Sequence, residues 1–374
     1  MITSVIKNFL KSESFGSLIL LIALAMAVFA ANSSYAGFYS GIFSIELFSG
    51  FNLRLFINDG LMAIFFFLVG LELKREIIKG DLSSKEKIIM PLLAALGGIV
   101  FPALIYCGIN FNNEINLNGW AIPTATDIAF VIGVLNLFGK RISNSLKIFL
   151  IALAIIDDLA AILIIALFYS DNIALAYLAL AFAIVIILLI LNKLKITSLS
   201  LYLPAGLLLW FLTLKSGIHP TIAGVVLSFL IPITKSEFLE KKLHISVNYL
   251  ILPIFAFANS GIIFNDISPN IWSSQLFLSI TLGLFLGKQL GVALAVLLLV
   301  KLKISPFFKN TNWLEFYGAA ILTGIGFTMS LFIGNLAFEE SEYLYNEVRT
   351  AVITGSILSA ICGFLVIYYS KRIK

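Results

Sequence analysis

The sequence predicts an all-α polytopic membrane protein with about twelve transmembrane helices, inverted repeats and two helices that break within the membrane. Three observations support this fold class. Of the 374 residues, 60% are apolar and 12% are charged, which is about half the charged share of an ordinary soluble protein. The apolar residues form runs long enough to cross a bilayer. The Lys and Arg residues concentrate in every second loop, as in a protein that crosses the membrane several times. This composition excludes a soluble globular enzyme and a disordered chain.

Twelve apolar runs of about 16 to 27 residues are the candidate transmembrane helices. They cover residues 15–31, 59–78, 88–109, 119–139, 148–169, 173–192, 197–214, 218–233, 246–263, 274–300, 313–337 and 348–370. The first run could also be the core of a secretory signal peptide, because Lys7 and Lys11 precede it and small residues follow. We expect it to be retained, because the charge distribution described next requires it.

The basic residues predict that both termini lie in the cytoplasm. With the N-terminus inside, 21 of the 25 Lys and Arg residues fall in cytoplasmic segments, 3 fall outside and Lys288 lies within a span. This matches the positive-inside rule. The net charge of +5 therefore belongs to the inner face, which excludes a nucleic-acid partner. Two Cys and two His residues give neither a disulfide framework nor a His-based metal site, so no resident cofactor is expected.

The longest stretch between spans covers residues 32–58 and is rich in Gly, Ser and Phe. Two interpretations stay open. It is either an exposed loop on the outer surface or a contact between the subunits of a homodimer.

Four ionisable residues lie well inside the predicted spans: Asp127, Asp157, Asp158 and Lys288. At a rise of about 1.5 Å per residue, each lies roughly 12 to 20 Å from a span end, near the middle of a core about 30 Å thick. Each charge there costs on the order of 2.5–3.5 kcal/mol.

One Asp–Lys pair could be purely structural, but three carboxylates and one ammonium leave an excess of negative charge. A cation, a proton or water must offset that excess. Oxygen ligands favour protons and alkali or alkaline-earth ions over soft metals. We therefore predict an ion or proton pathway through the lipid bilayer.

The fourth predicted span, residues 119–139, begins with Gly-Trp-Ala-Ile-Pro-Thr-Ala-Thr-Asp. Pro123 lacks a backbone N–H group, and the hydroxyls of Thr124 and Thr126 offer the backbone other hydrogen bonds. We interpret this span as a helix that breaks within the membrane.

The eleventh predicted span, residues 313–337, holds Gly324 and Gly326 near its middle and is interpreted in the same way. Close packing of helices through small residues is the alternative here. The fourth and eleventh spans are seven spans apart and therefore run in opposite directions. The segments around them, about residues 88–169 and 274–370, could be inverted repeats in a single transporter domain, residues 1–374.

Seven segments of the chain resemble the bacterial NhaA-type sodium/proton antiporters. They are residues 58–76, 123–130, 154–159, 215–219, 252–259, 287–289 and 322–330, among them Pro-Thr-Ala-Thr-Asp-Ile-Ala-Phe, Ala-Ile-Ile-Asp-Asp-Leu and Leu-Thr-Gly-Ile-Gly-Phe-Thr-Met-Ser. They follow one another from one end of the chain to the other, so the resemblance covers essentially all of it. This family is itself an established example of inverted repeats, so the repeats are not an independent prediction.

The resemblance implies an electrogenic antiporter of the bacterial inner membrane, active at alkaline pH, which serves sodium and pH homeostasis. It would export sodium, and lithium as a further ion, in exchange for protons. Asp157 and Asp158 resemble the ion-binding pair, with Asp158 as the direct ligand and Asp157 as the partner of Lys288. Asp127 and Thr126 resemble the broken-helix residues beside that site.

Five further residues resemble positions tied to the pH response: Glu72, Arg75, Glu76, His219 and Glu240. Two departures from the family pattern bear on the expected pH response. Pro220 follows His219, and Glu237 stands where the family pattern has a basic residue. From the residues alone, the segment around Glu72 also fits a solvated helix end with pairs at i and i+4.

Two other functions are considered. An intramembrane aspartyl protease would place Asp127 and one of the Asp157–Asp158 pair on different helices. However, no Gly-x-Gly-Asp motif occurs, and Lys288 has no role in that chemistry. A passive cation channel would conduct without coupling to protons.

Overall fold

A computed structural model of the protein describes residues 13–48, 50–80, 84–139, 142–170 and 173–370. Several basic residues of the predicted charge distribution lie outside these ranges: Lys7, Lys11, Lys140, Arg141, Lys371, Arg372 and Lys374. The prediction for both termini therefore falls on residues beyond the described part of the chain.

The described residues are almost entirely helical. The helices are α1 Glu13–Ala31, α2 Ala36–Phe43, α3 Leu53–Lys79, α4 Lys85–Asn110, α5 Glu114–Leu117, α6 Ile128–Leu137, α7 Asn144–Phe168, α8 Leu175–Lys193, α9 Leu199–Ser216, α10 Thr221–Leu230, α11 Ile233–Ser246, α12 Leu252–Asn259, α13 Gln275–Lys301, α14 Trp313–Leu322, α15 Phe327–Ala337 and α16 Glu342–Ser370. Two short strands, β1 Glu46–Phe48 and β2 Phe51–Asn52, pair antiparallel. Wider π-helical turns occur at Phe56–Leu61 in α3, at Gly283–Gly287 in α13 and at Val247–Ile251 between α11 and α12.

Eight helices of the described chain are long and apolar enough to cross a membrane. The number rises to ten if each of two bent helix pairs counts as one span. This agrees with a polytopic all-α membrane protein, but it does not confirm twelve spans. The predicted span 218–233 contains only α10, which has ten residues and at about 1.5 Å per residue is too short to cross a bilayer alone. The predicted span 246–263 contains the eight-residue α12.

The first bent pair joins the first predicted span to α2, which lies in the stretch 32–58, and the second bent pair covers the fourth predicted span. Helix α1 turns by 114° into α2, and the stretch Glu114–Thr124 turns by 41° into α6. We call residues 125–127, which precede α6, the first break. Residues 323–326, which separate α14 from α15, are called the second break.

The chain forms two compact units. Unit 1 comprises Met1–Ser34, Ser84–Ala161 and Asn259–Lys374, and unit 2 comprises Tyr35–Ser83 and Ile162–Ala258. The prediction of one transporter domain with an inverted-repeat core stays a prediction. Both breaks belong to unit 1, as do the four ionisable residues that the sequence places inside spans.

In unit 1, helices α4 and α13 cross at closely packed glycines. A Cβ atom at Gly97 would lie 2.4 Å from the carbonyl oxygen of Gly291, and one at Gly291 would lie 2.1 Å from that of Gly97. A side chain at either position would push the helices apart. A Cβ atom at Gly98 would lie 3.6 Å from Lys288 Nζ. The crossing thus sets where α13 presents Lys288.

In unit 2, helices α3 and α10 approach each other in the same way. A Cβ atom at Gly224 would lie 2.2 Å from the carbonyl oxygen of Ala63. At the end of α10, the buried Lys74 donates hydrogen bonds to the carbonyl oxygens of Phe229 at 2.7 Å and Ile231 at 2.5 Å. A cation there is stabilised by the negative end of the helix dipole.

The close approach of α3 and α10 predicts that Gly224→Ala destabilises the protein. The added methyl group must displace backbone, which costs on the order of 1–3 kcal/mol, so the apparent Tm in detergent falls. Gly108→Ala is the matched control, because that helical glycine has open space around it and alanine favours helix by up to about 1 kcal/mol. Equal Tm values for the two variants would contradict the packing described here.

Candidate functional site

The carboxylate of Asp157 is the centre of the candidate site. Its Oδ2 accepts a hydrogen bond from Lys288 Nζ at 2.5 Å, and both side chains are fully buried. The hydroxyl of Thr126 lies 2.8 Å from the same oxygen. Helix α7 carries Asp157 and helix α13 carries Lys288, so the ion pair joins two helices of unit 1. A buried charge needs such a partner, because removing either one strands the other away from water.

The second oxygen of Asp157 has a different environment. Oδ1 is buried and has no hydrogen-bond partner among the described residues. The adjacent Asp158 is 3% exposed and points about 100° away around the helix. The two adjacent carboxylates therefore face different sides of α7, and one oxygen of Asp157 is left unsatisfied. Carboxylate oxygens are the ligands that hard cations and protons bind.

Asp127 lies at the N-terminal ends of two helices. Its Oδ1 accepts from the backbone N–H of Phe130 at 3.2 Å, in the first turn of α6. Its Oδ2 accepts from the backbone N–H of Thr328 at 3.0 Å and from the hydroxyl of the same residue at 2.5 Å, in the first turn of α15. Helix N-termini carry partial positive charge and unpaired N–H groups. A single carboxylate thus accepts a backbone hydrogen bond from the first turn of each helix.

The first and second breaks are hydrogen-bonded to each other. The backbone N–H of Asp127 donates to the carbonyl oxygen of Ile325 at 2.6 Å. The hydroxyl of Thr126 lies 2.9 Å from the carbonyl oxygen of Thr323, so its one proton serves either that oxygen or Asp157. Each break supplies partners for backbone groups that the other leaves unpaired, as buried backbone requires.

The site residues together carry an excess of negative charge. The carboxylates of Asp127, Asp157 and Asp158 are all buried, and the ammonium of Lys288 binds one of them, that of Asp157. A monovalent cation or protons can offset that excess. The arrangement is therefore suited to bind and exchange small cations, and the resemblance had implied the Asp157–Lys288 pair.

Four of the residues predicted to sense pH meet in unit 2. Arg75 Nε lies 3.1 and 3.0 Å from the two carboxylate oxygens of Glu240, and an Arg75 terminal nitrogen lies 2.6 Å from Glu76 Oε1. Glu72, one helical turn before Glu76, adds a further carboxylate near Arg75. This cluster of Glu72, Arg75, Glu76 and Glu240 links α3 to α11. A solvated helix end with pairs at i and i+4 only does not account for the bond between Arg75 and Glu240.

Glu237, the departure from the family pattern, pairs with Lys79 at 2.8 Å beside this cluster. The hydrogen bond and charge of Lys79 lower the pKa of Glu237. A group with a lowered pKa stabilises the fold above its ordinary pKa and loses that effect as the pH falls through the lowered value. Glu237 therefore stays ionised at neutral and alkaline pH. Both side chains are about half exposed, so the pair adds little stability.

His219 does not join the cluster. Its Nε2 lies 3.4 Å from Asp59 Oδ1, and its Nδ1 lies 2.7 Å from the hydroxyl of Thr221 at the start of α10. Asp59 and Arg75 are both on α3, and their separation in sequence corresponds to roughly 24 Å along a helix. The structure thus divides the predicted pH-sensing residues between two places.

Several site residues escape sequence analysis. The hydroxyl of Ser356 accepts from two backbone N–H groups at the start of α15, at 3.3 and 3.2 Å. The Ser330 hydroxyl donates at 2.7 Å to a carbonyl oxygen before the first break, and Thr328 binds Asp127. Hydroxyls in apolar helices carry no charge signal, and these partners are far apart in sequence. Glu315, fully buried in α14, was missed because it lies near the end of its apolar run.

Comparison with known proteins agrees with this picture. The family model described as Na+/H+ antiporter 1 matches residues 7–367. The chain is 48% identical over 373 residues to the Na(+)/H(+) antiporter NhaA 1 of Pseudomonas savastanoi pv. phaseolicola, with 97% of this chain and 95% of the relative covered. It is 47% identical over 380 residues to the Na(+)/H(+) antiporter NhaA of Pelagibacter ubique, with 98% and 97% covered. It is 46% identical over 380 residues to that of a Nitratiruptor species, with 97% of each covered.

The buried ion pair predicts a non-additive effect of its two charges on stability. Lys288→Met leaves the Asp157 carboxylate buried without its cation, which costs on the order of 3–5 kcal/mol. The double variant Lys288→Met with Asp157→Asn removes both charges and is expected to recover most of the lost Tm. The measurement is the apparent Tm of both variants and of Asp157→Asn alone in detergent. Additive losses in the double variant would show that the pair is not coupled.

Proposed function

The chain belongs to the Na+/H+ antiporter 1 family, and we propose that it exchanges sodium ions for protons across a bacterial inner membrane. It would act as a transporter and not as an enzyme, and it would need no resident cofactor. The observation that carries the proposal is the buried Asp157–Lys288 pair beside Asp158. Such a group of charges suits an ion that must be bound and released, and it is more than a structural pair requires.

Sodium and protons would compete for the same carboxylate oxygens. At alkaline internal pH, Asp157 and Asp158 lose protons and a sodium ion binds from the cytoplasm, with Asp158 as its direct ligand. The unsatisfied Oδ1 of Asp157 supports a second ligand contact. A change of conformation would then expose the site to the outside, where sodium leaves and protons bind. The inward proton gradient drives the cycle.

We propose that two carboxylates exchange two protons for one sodium ion, so that each cycle moves net charge. Lys288 would hold Asp157 in place until a proton or a cation displaces its ammonium. Thr126 supports this role because its hydroxyl can bond to Asp157 or to the second break.

The two breaks would lie near the middle of the membrane, and twelve spans would place both termini in the cytoplasm. The ring of hydrogen bonds around Asp127 supports this depth, since no water is available there to satisfy the free backbone groups. The segments around the breaks would be the inverted repeats of the core.

The cluster of Glu72, Arg75, Glu76 and Glu240 would set activation at alkaline pH, with His219 contributing from its separate position. The bonds of Arg75 link α3 to α11 and support this role. Lithium would be carried as a second ion, and the physiological role would be sodium and pH homeostasis. A homodimer would use the outer stretch 32–58.

The proposed exchange predicts that Asp158→Asn abolishes transport. The assay loads inverted membrane vesicles with protons and follows the loss of the proton gradient when sodium is added. Asp266→Asn is the matched control, because that carboxylate is exposed and no hydrogen bond of the site involves it. The control is expected to transport like wild type. Full activity in Asp158→Asn would overturn the site assignment.

The proposed two-for-one exchange predicts electrogenic transport. In proteoliposomes, the initial rate of sodium-driven proton movement is expected to change when a membrane potential is imposed with potassium and valinomycin. A rate that ignores the imposed potential would contradict the two-proton version. Sodium currents without proton movement would instead indicate a channel.

A further inference from the structure

We propose that Gln289 and Tyr317 are positioning residues for Lys288: they hold a wide turn of α13 that directs the ammonium of Lys288 to Asp157. The proposal deepens the proposed antiport function and rests on it for the effect on sodium binding. The hydrogen bonds of both residues lead to the turn and to each other, not to the carboxylates of the ion site. Their effect on the ion therefore passes through Lys288.

The wide turn is the π-helical segment Gly283–Gly287, which directly precedes Lys288. The backbone N–H of Lys288 donates to the carbonyl oxygen of Gly283, five residues earlier, whereas an α-helix would use the carbonyl four residues earlier. One residue corresponds to about 100° around a helix axis. Loss of the wide turn would therefore rotate Lys288 by about that angle relative to the first part of α13, away from Asp157.

A side-chain amide stabilises the middle of this turn. Gln289, the residue after Lys288, is buried. Its Nε2 donates to the carbonyl oxygen of Phe285, inside the turn, and its Oε1 accepts from the hydroxyl of Tyr317 at 2.6 Å. Both polar atoms of the amide are thus used, as burial requires. Together these bonds form a chain from α14 to the wide turn.

The two ends of the turn are held by close packing. A Cβ atom at Gly283 would lie 2.7 Å from Pro123 Cβ, and one at Gly287 would lie 2.7 Å from Pro102 Cα. Pro123 lies just before the first break, and Pro102 lies in α4. Packing thus fixes the ends of the turn, and the amide of Gln289 fixes the carbonyl between them.

The consequence for ion binding is one of competition. The ammonium of Lys288 lies 2.5 Å from Asp157 Oδ2, and the proposed mechanism requires a proton or a cation to displace it. A firmly held turn keeps the ammonium on Asp157 for a larger fraction of the time. A looser turn frees the carboxylate more often, so sodium binds at a lower concentration.

The test compares Tyr317→Phe and Gln289→Met with wild type. Tyr317 is exposed, so its substitution leaves the core intact and removes only the hydroxyl that supports Gln289. Met is similar in shape to Gln but cannot donate a hydrogen bond. Tyr202→Phe is the matched control, since it also removes one hydroxyl bond, to the carbonyl oxygen of Ile196 at 3.1 Å, and belongs to unit 2.

The first readout is equilibrium binding of radioactive sodium to the purified full-length protein at alkaline pH. The half-saturating sodium concentration is expected to fall about three-fold in Gln289→Met and about two-fold in Tyr317→Phe, because the first variant loses more hydrogen bonds. Tyr202→Phe is expected to bind sodium like wild type. An unchanged or raised half-saturating concentration in Gln289→Met would overturn the proposal.

The second readout is the apparent Tm in detergent, which requires no sodium. Gln289→Met is introduced into wild type and into the charge-free background Lys288→Met with Asp157→Asn. The substitution is expected to lower the Tm more in wild type, because the charge-free background has no ion pair left to weaken. Equal losses in both backgrounds would overturn the positioning role. If wild type binds no sodium, the proposed function fails, while the Tm values still decide whether Gln289 acts through Lys288.

Discussion

The Asp157–Lys288 ion pair is the interaction on which the organisation of unit 1 depends. Two opposite charges, each with no exposed surface, can persist away from water only when they lie within hydrogen-bond distance of each other. That requirement fixes α13 against α7. The glycine crossing of α4 with α13, where Gly97 meets Gly291, fixes α13 from its other side. The site is therefore set by packing of rigid helices, and no flexible loop is needed to form it.

The two helix breaks are subject to the same constraint, because buried polar groups of the backbone also need partners away from water. Breaking a helix exposes N–H and C=O groups that have no partner inside it. Asp127 binds the N-terminal groups of α6 and α15, and its own N–H binds the second break. One buried anion thus contributes to capping both helices, and Ser356 accepts from two further N–H groups at the start of α15. Because the breaks bond to each other and Thr126 bonds to Asp157, a change at the ion pair reaches the backbone of both breaks through a single hydroxyl.

Charge and composition predicted the class of protein and four residues of the candidate site, because a charge inside an apolar run is visible in sequence.

Other features depend on partners that are far apart in sequence. In the sequence, nothing distinguishes Ser356 from other serines in apolar helices. Its role is visible only in the structure, where its hydroxyl accepts from the N–H groups at the start of α15. Lys74 is one of the 21 basic residues assigned to cytoplasmic segments from the sequence, yet it is buried against the end of α10. The twelve predicted spans are not confirmed, because hydrophobic runs such as 218–233 do not reveal where a helix such as α10 begins and ends. Pairing of Arg75 with Glu240 joins residues far apart in sequence, so only the resemblance had linked them.

The central claim is that sodium and protons compete for one set of buried carboxylates. The most direct measurement is proton release when sodium binds to purified wild-type protein in weakly buffered detergent at alkaline pH, followed with a pH-indicator dye. The account predicts that sodium releases protons in proportion to the protein present and that choline chloride at equal ionic strength releases none. Saturable binding of sodium without release of protons would contradict it.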